Sequence, residues 1–555
     1  MGDSLHRGRG EFGGLDHELV KILAGAREKG RLVKVEGYNA TVQNLARAKK
    51  SPICKHMDYL FPNVNFCSYM HSSHKSPKAS VKKLAGLYNK EASKVESDIT
   101  IQQFVCLWAS SVALHTTWGA DGEPLHHTPV PPEKLSHMQY KDSSPGYSDP
   151  DFGKKRTSKR EEAVLVEIQI RAAERERIVP LHVLKGAKKN EAIETIGKSV
   201  AGAKPEEKNV RYFYISNTCS YGAQMANGLR QQAAEGQTLS DARVMPVVGG
   251  FYYSLIMQLT RHLEDALPFA DREEYVRQTG TYNFDVKGWE YSVGPLAKVI
   301  YCLGVRATIG NPMYPYSLAG AFASFICPIV LLHGEFGIVA PNLLPSGDLF
   351  TFDCNTAHNR MITIDFAKTL PESERPILFS SVKAGDDSIQ LAHKHVAGLK
   401  QHYEKWGMQI AEEGSGHFLQ RFINIDKRSM DPIKERVLNK IYHSEGDMEK
   451  KAQQIYSIFQ TMGSDTSYMR KLMGVVPPPR SFAQAADGDH LGVYGRALTD
   501  DIQLRVFHEP ADPNFVKLCW AMEILHNNTP RHMQMIVDVD KSKEKTIKNF
   551  PHLFL

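Results

Sequence analysis

An α+β fold is what this sequence predicts, and three observations predict it. β-Branched, aromatic and other apolar residues concentrate in short segments of strand length, at 208–216 (KNVRYFYIS), 281–286 (TYNFDV) and 377–384 (ILFSSVKA). Between the last two, Leu296, Val299, Ile300 and Leu303 recur at the spacing of one helical face. Beyond about residue 430 the chain becomes charged and helical in pattern (DPIKERVLNKIYHSEGDMEKKAQQIYSIFQTM). The expected architecture is an antiparallel sheet flanked by helices. With 555 residues the chain exceeds one ordinary core, so two or three subdomains are expected.

Taken in order, residues 1–15 are Gly-rich and charged, with no apolar core of the kind a secretory leader needs. Helical stretches are expected at Val81–Lys94 and Ile99–Leu114, then a long exposed connection at 119–155, rich in Pro, Gly, Ser and His. Glu161–Arg177 and Phe251–Leu267 also have helical spacing. Pro295, just ahead of the Leu296 stripe, suits a first helical turn, where its missing N–H costs nothing. The longest apolar run, Leu318–Leu332, contains Pro328 and falls short of the roughly 20 residues that span a bilayer. It reads as a buried helix, and no transmembrane segment is expected. Another helix is expected over Leu391–Trp406.

Composition excludes disordered and fibrous classes: 42% of residues are hydrophobic and 23% charged. A net charge of +6 permits a nucleic-acid partner without requiring one, and the runs Lys154–Arg160 and Lys541–Lys548 are candidate phosphate contacts. Eight cysteines with no CxxC pair point to reduced thiols. Cys54, His56, Cys67, His71 and His74 crowd into a short stretch, but their spacing fits no standard zinc finger. Zinc at Cys54, Cys67, His71 and His74 stays open, against a surface-loop reading.

Three segments carry chemistry together. Asp285 lies near the end of the strand 281–286, and a second carboxylate, Glu290, lies before the next helix in Asn283-Phe-Asp-Val-Lys-Gly-Trp-Glu-Tyr-Ser-Val293. Ala384-Gly-Asp-Asp-Ser388 sets two adjacent carboxylates, Asp386 and Asp387, in a turn. Were the two strands neighbours, Asp285 and Asp386 would come within metal-bridging distance, an oxygen-ligand set suited to Mg²⁺. Alone, a Gly-Asp-Asp is more often just a β-turn, and an Asp at a strand end just a cap. The middle segment, Ser346-Gly-Asp-Leu-Phe-Thr-Phe-Asp-Cys-Asn-Thr356, is a Gly turn leading into a helix on which Thr351 and Asn355 share a face. Their hydroxyl and amide can read a ribose 2′-OH; the bland alternative is an N-cap Ser before a polar helix face.

About 60 residues separate Asp285 from Ser346 and about 40 separate Ser346 from Asp386. In order and spacing the three segments resemble motifs A, B and C of viral RNA-dependent RNA polymerases, over roughly residues 208–430. Asp-Val-x-Gly-Trp-x-x-Ser-Val with Gly-Asp-Asp-Ser looks most like the enzymes of sobemoviruses, poleroviruses and barnaviruses, although SGDxxTxxxNT with GDDS is also similar to alphavirus-like enzymes. The resemblance implies a right-hand fold: fingers at 1–250, palm at 251–430 with a finger insertion near 305–340, and thumb at 431–555. It implies RNA synthesis with pyrophosphate release on Mg²⁺ or Mn²⁺, held by Asp285 and Asp386 with Asp387 assisting. Ser346, Gly347, Thr351 and Asn355 would shape the nucleotide site. The family usually has Asp where this chain has Glu290, which lengthens the reach to the ribose by roughly 1.5 Å. Lys208 and Arg211 would neutralise the incoming triphosphate, with ordinary surface charge as the alternative. Lys405, His417 and Lys427 are candidate proton donors to pyrophosphate, and 418–424 (FLQRFIN) a primer-gripping hairpin. The partners implied are RNA template, nascent RNA and nucleoside triphosphates, with a viral genome-linked protein as an optional one, in host cytoplasm or peripheral to membranes. A reverse transcriptase would carry an aromatic ring in place of Glu290; an RNA-binding capsid or nucleoprotein would make no polymer.

Overall fold

The computed structural model describes residues 17–35, 40–41, 43–44, 52–64, 66, 84–89, 98–100, 102–107, 182–187, 211–216, 218–227, 250–309, 312–414, 417–419, 421–443, 447–459 and 467–476. Its centre is a four-stranded antiparallel sheet of β6 (Thr281–Lys287), β9 (Val382–Ala384), β10 (Asp387–Leu391) and β11 (Gln409–Gly414), in the order β11-β6-β10-β9. Alternation in the sequence decides the faces. Phe284 and Val286 of β6 enter the main core with Trp289, Ile300, Phe350, Met361, Leu399 and Trp406. Val382, Ala384, Ile389 and Leu391 point the other way, into a second cluster with Tyr252, Leu255, Ile256 and Leu259 of the helix Gly250–Leu259 and with Phe418 and Met430. Both faces are therefore covered, and the ends of the strands carry what reaches solvent.

The main face packs on the helices Pro295–Thr308, Phe350–Ala367 and Val396–Lys405. Pro295 occupies the first turn as expected. The 18-residue helix Phe350–Ala367, here the central helix, is buried almost all round. A three-stranded sheet of β12 (His417–Phe418), β13 (Arg421–Asn424) and β14 (Ser429–Pro432) follows β11, so 418–424 contributes to a strand pair. The helices Lys434–His443, Met448–Phe459 and Ser467–Met473 close the described chain.

A separate seven-stranded sheet draws on distant parts of the sequence: β1 (Leu32–Lys34), β2 (Ala40–Thr41), β3 (Gln43–Asn44), β4 (His182–Ala187), β5 (Arg211–Ser216), β7 (Ile329–Gly334) and β8 (Phe336–Val339). Segments on either side of β6 thus meet in one sheet outside the central one.

Several expected elements differ. Residues 377–384 are not one strand: Pro376 starts a single helical turn, Pro376–Phe379, and only Val382–Ala384 is extended. Proline at the first position presets the helical φ, and this overrides the apolar run Ile377-Leu378-Phe379. Leu318–Leu332 is not one helix either. The helix Pro315–Ile326 stops before Cys327-Pro328, whose ring cannot continue it, and the remainder forms β7. Phe251–Leu267 is helical at Gly250–Leu259 and then a 3₁₀ turn at Arg261–Leu263, and Leu391–Trp406 is helical only over Val396–Lys405. Among the described residues of the expected helices Val81–Lys94 and Ile99–Leu114, Gly86–Asn89 and 102–107 are helical. The expected connection at 119–155, the helix at 161–177 and both basic runs lie outside the described residues.

Candidate active site

β6 and β10 lie side by side, with Ser388 opposite Phe284 and Ile389 opposite Asn283. The paired register ends at Ser388 and Phe284, and Asp387 and Asp285 are the next residue on each strand. Because Ile389 and Leu391 share the second face of the sheet, Asp387 does too, and Asp285 with it. Asp386 occupies the turn itself. Ala384 pairs with Asp387, which leaves Gly385-Asp386 as a two-residue hairpin loop. Gly385 has φ +68°, at the first central position where a type II′ hairpin demands glycine. Asp285 and Asp387 are exposed, and Asp386 is half-buried.

The turn is clamped from behind by the central helix. The backbone N–H of Gly385 donates to Thr356 Oγ1 at 2.7 Å. Asn359 Nδ2 donates to the carbonyl oxygens of Gly385 and Asp386 at 3.1 and 3.3 Å. Tyr403 donates its hydroxyl to Asn359 Oδ1, which fixes the amide with its NH₂ towards the turn. Burial pushes the Tyr403 hydroxyl well up, so it stays protonated as a donor. Lys383, fully buried, donates to Tyr403 OH at 3.1 Å and to Ser388 Oγ at 2.6 Å. Phe352, 39% exposed, lays its ring in van der Waals reach of Gly385.

The same helix holds the first carboxylate's segment. After β6, Gly288 at φ +60° ends the strand, and Trp289-Glu290-Tyr291 forms a 3₁₀ turn. Trp289, buried, donates its indole N–H to Asn355 Oδ1. Edge-on ring contacts run from Trp289 to His358 and from His358 to Trp406, with centroids 6.0 and 5.7 Å apart. Glu290 is half-buried, and its backbone carbonyl accepts from Leu344 N–H at 2.7 Å.

The loop before the central helix is set by Asp348 rather than by Ser346. Asp348 is buried, and its Oδ1 accepts from Phe350 N–H at 3.1 Å and from Gln224 Nε2 at 3.1 Å. The Ser346 carbonyl accepts from Tyr214 N–H at 2.8 Å, which fastens the loop to β5. Gly347 has φ +116°, and a Cβ there would stand 2.8 Å from the Tyr214 carbonyl oxygen, so only glycine fits. Thr351 donates to Pro345 O at 2.6 Å, which leaves its oxygen as an acceptor towards a ligand. Arg211 begins β5, three residues from Tyr214, or roughly 10 Å along the strand. Lys208 lies outside the described residues.

The structure thus brings Asp285, Asp386 and Asp387 to one sheet end, flanked by Glu290 and the central helix with Thr351 and Asn355. Sequence reasoning missed the clamp residues Asn359, Tyr403 and Lys383, and the roles of Thr356, Trp289 and Asp348. Only the spacing of Thr356 and Asn359, three apart on one helix face, hinted at it.

Among the described residues no three His, Cys, Asp or Glu side chains are gathered into a ready-made metal cage. The acids at the sheet end fit a different arrangement, in which one or two carboxylates hold Mg²⁺ and substrate phosphates and water complete the sphere. Cys54, part of the stretch weighed for zinc, is buried in the helix Ile53–Leu60 and donates to the Tyr442 carbonyl at 3.3 Å; Cys67, His71 and His74 lie outside the described residues. Lys405 and Lys427 are exposed. No helix among the described residues is long and apolar enough to cross a membrane.

No family model matches the chain, and no curated protein matches it. Among solved structures it is similar to an insertion-loop deletion mutant of the RNA-dependent RNA polymerase of a human picorbirnavirus, with TM-score 0.47 and 11% sequence identity, over 91% of this chain and 95% of that one. Likeness at that level assigns no chemistry to this chain.

Proposed function

We propose that this chain is an RNA-directed RNA polymerase that extends an RNA strand by nucleotidyl transfer on an RNA template. The observation that carries the reading is the pairing of β6 with β10, which ends at Phe284 and Ser388 and so leaves Asp285 and Asp387 next along their strands, with Asp386 in the adjoining turn. Carboxylates so arranged, beside a helix that offers Thr351 and Asn355, fit a site for a nucleoside triphosphate and the end of a growing strand.

In the reaction the strand's 3′-hydroxyl gives its proton to water, and its oxygen attacks the α-phosphorus of the nucleotide. A P–O bond forms as the bond to pyrophosphate breaks. Asp285 and Asp386, with Asp387 assisting, would hold the divalent ions. When bound, these ions supply charge neutralisation for the attacking oxygen and the departing pyrophosphate. The chain's own part is positioning. Thr356 and Asn359 keep the turn in place, and Asp348 and Gly347 shape the loop beneath the nucleotide. Glu290, as an acceptor, and Asn355 address the ribose, whose 2′-OH is both donor and acceptor. Arg211, at the start of β5, is assigned to the triphosphate. In this reading the seven-stranded sheet belongs to the fingers, the four-stranded sheet to the palm and the helices after 433 to the thumb.

The test is nucleotide incorporation on a homopolymer RNA template with Mg²⁺ or Mn²⁺, comparing the parent with Asp386→Ala and Asp285→Ala. Synthesis should be abolished while RNA binding and folding stay nearly unchanged. Undiminished synthesis by either variant would overturn the proposal. A parent that binds RNA and makes no polymer would instead favour an RNA-binding structural protein.

A further inference from the structure

We infer that Trp289 is a positioning residue for sugar selection: its indole N–H fixes which end of the Asn355 amide faces the nucleotide. This rests on the polymerase reading above and deepens it. A tryptophan ring nitrogen donates and never accepts, so the atom it meets on Asn355 must be the amide oxygen. The NH₂ of Asn355 is thereby turned away from Trp289 and offers donors only. Glu290, the next residue after Trp289, carries a carboxylate that accepts. One short segment therefore supplies an acceptor directly and, through Trp289, commits the neighbouring helix to a donor. A ribose hydroxyl can satisfy both at once, and a 2′-deoxy sugar satisfies neither.

Trp289 itself has no freedom to relax. It is 2% exposed, packs edge-on against His358 and follows the left-handed Gly288 that ends β6. The orientation of the Asn355 amide is in this way tied to the strand that carries Asp285. Without the indole N–H the amide can turn over, presenting to the sugar an oxygen that accepts where a donor is needed.

The experiment measures kcat and KM for a ribonucleotide and its 2′-deoxy counterpart with the full chain, comparing Trp289→Phe and Asn355→Asp. Phenylalanine keeps an aromatic ring beside His358 and removes the donor. Aspartate keeps the acceptor that Trp289 meets and removes the NH₂. Each should lower ribose-over-deoxyribose discrimination in kcat/KM by roughly five- to tenfold, the effect of one hydrogen bond, and chiefly by weakening ribonucleotide use. Asn355→Asp should do so without lowering the thermal midpoint. If both variants lose activity equally towards the two sugars, so that the ratio is unchanged, Trp289 has only a packing role and the inference fails. Absence of synthesis by the parent chain would be a failure of the polymerase reading itself.

Discussion

Thr356 accepts the backbone N–H of Gly385 at 2.7 Å, so a helix from the middle of the sequence holds the turn that presents Asp386. The group it satisfies is buried, and an unmade hydrogen bond there costs about 1–3 kcal/mol. Thr356→Val, close in shape but without the acceptor, should lower stability by that amount in urea unfolding. It should also raise the Mg²⁺ concentration needed for half-maximal synthesis. Thr356→Ser, which keeps the hydroxyl, should restore most of both. Equal behaviour of the two variants would contradict the clamp.

Gly385 itself is constrained by conformation more than by space. Its φ of +68° disfavours any side chain, whereas an added Cβ would meet only ordinary contact with the Phe352 ring at 3.4 Å. Gly385→Ala is therefore expected to cost roughly 1–3 kcal/mol of backbone strain. The variant should fold, melt earlier, and lose synthesis by a larger factor than its loss of stability explains, because the displaced residue is Asp386. A thermal melt run beside an incorporation assay separates the two losses.

Stability should begin to fall with acid at about pH 6.5, above the usual carboxylate range. Burial holds His358 down to about 4, between Trp289 and Trp406, while in the unfolded chain it titrates near 6.5. The unfolded state therefore binds the extra proton between those values, and folding weakens as pH drops from about 6.5 to 4. The slope is about 1.4 kcal/mol per pH unit, on the order of 3 kcal/mol in all. His393 is also held at about 4, first by burial and then by the charges of His395, His262 and Lys383, and adds to the slope. His358→Phe should roughly halve it, as read from urea unfolding at pH 4.5, 5.5 and 7. An unchanged slope would show that His358 is not the buried neutral group described.

Much of the site was legible in the sequence because its pieces are local. Alternating Tyr282, Phe284 and Val286 declared a strand, and Gly385-Asp386-Asp387 declared a turn. What escaped was tertiary. The apolar run 377–384 looked extended until Pro376 is given its weight, and Leu318–Leu332 looked like one helix because it is apolar throughout. The seven-stranded sheet was hidden by strands of two or three residues whose partners lie far away along the chain. Lys383 carries no distinguishing signal in sequence, and only the fold shows it sealed beneath Tyr403 and Ser388. Glu290 acquires a setting as well, since its neighbour Trp289 reaches Asn355 on the central helix.

The central helix works as a ruler. Its Asn355 is set by the segment after β6, and four residues on, its Asn359 holds the hairpin between β9 and β10. Each residue of a helix advances the azimuth by about 100°. Adding or deleting one amino acid between 355 and 359 would swing one of the two contacts to the wrong side of the rod. Length there is constrained along with residue type.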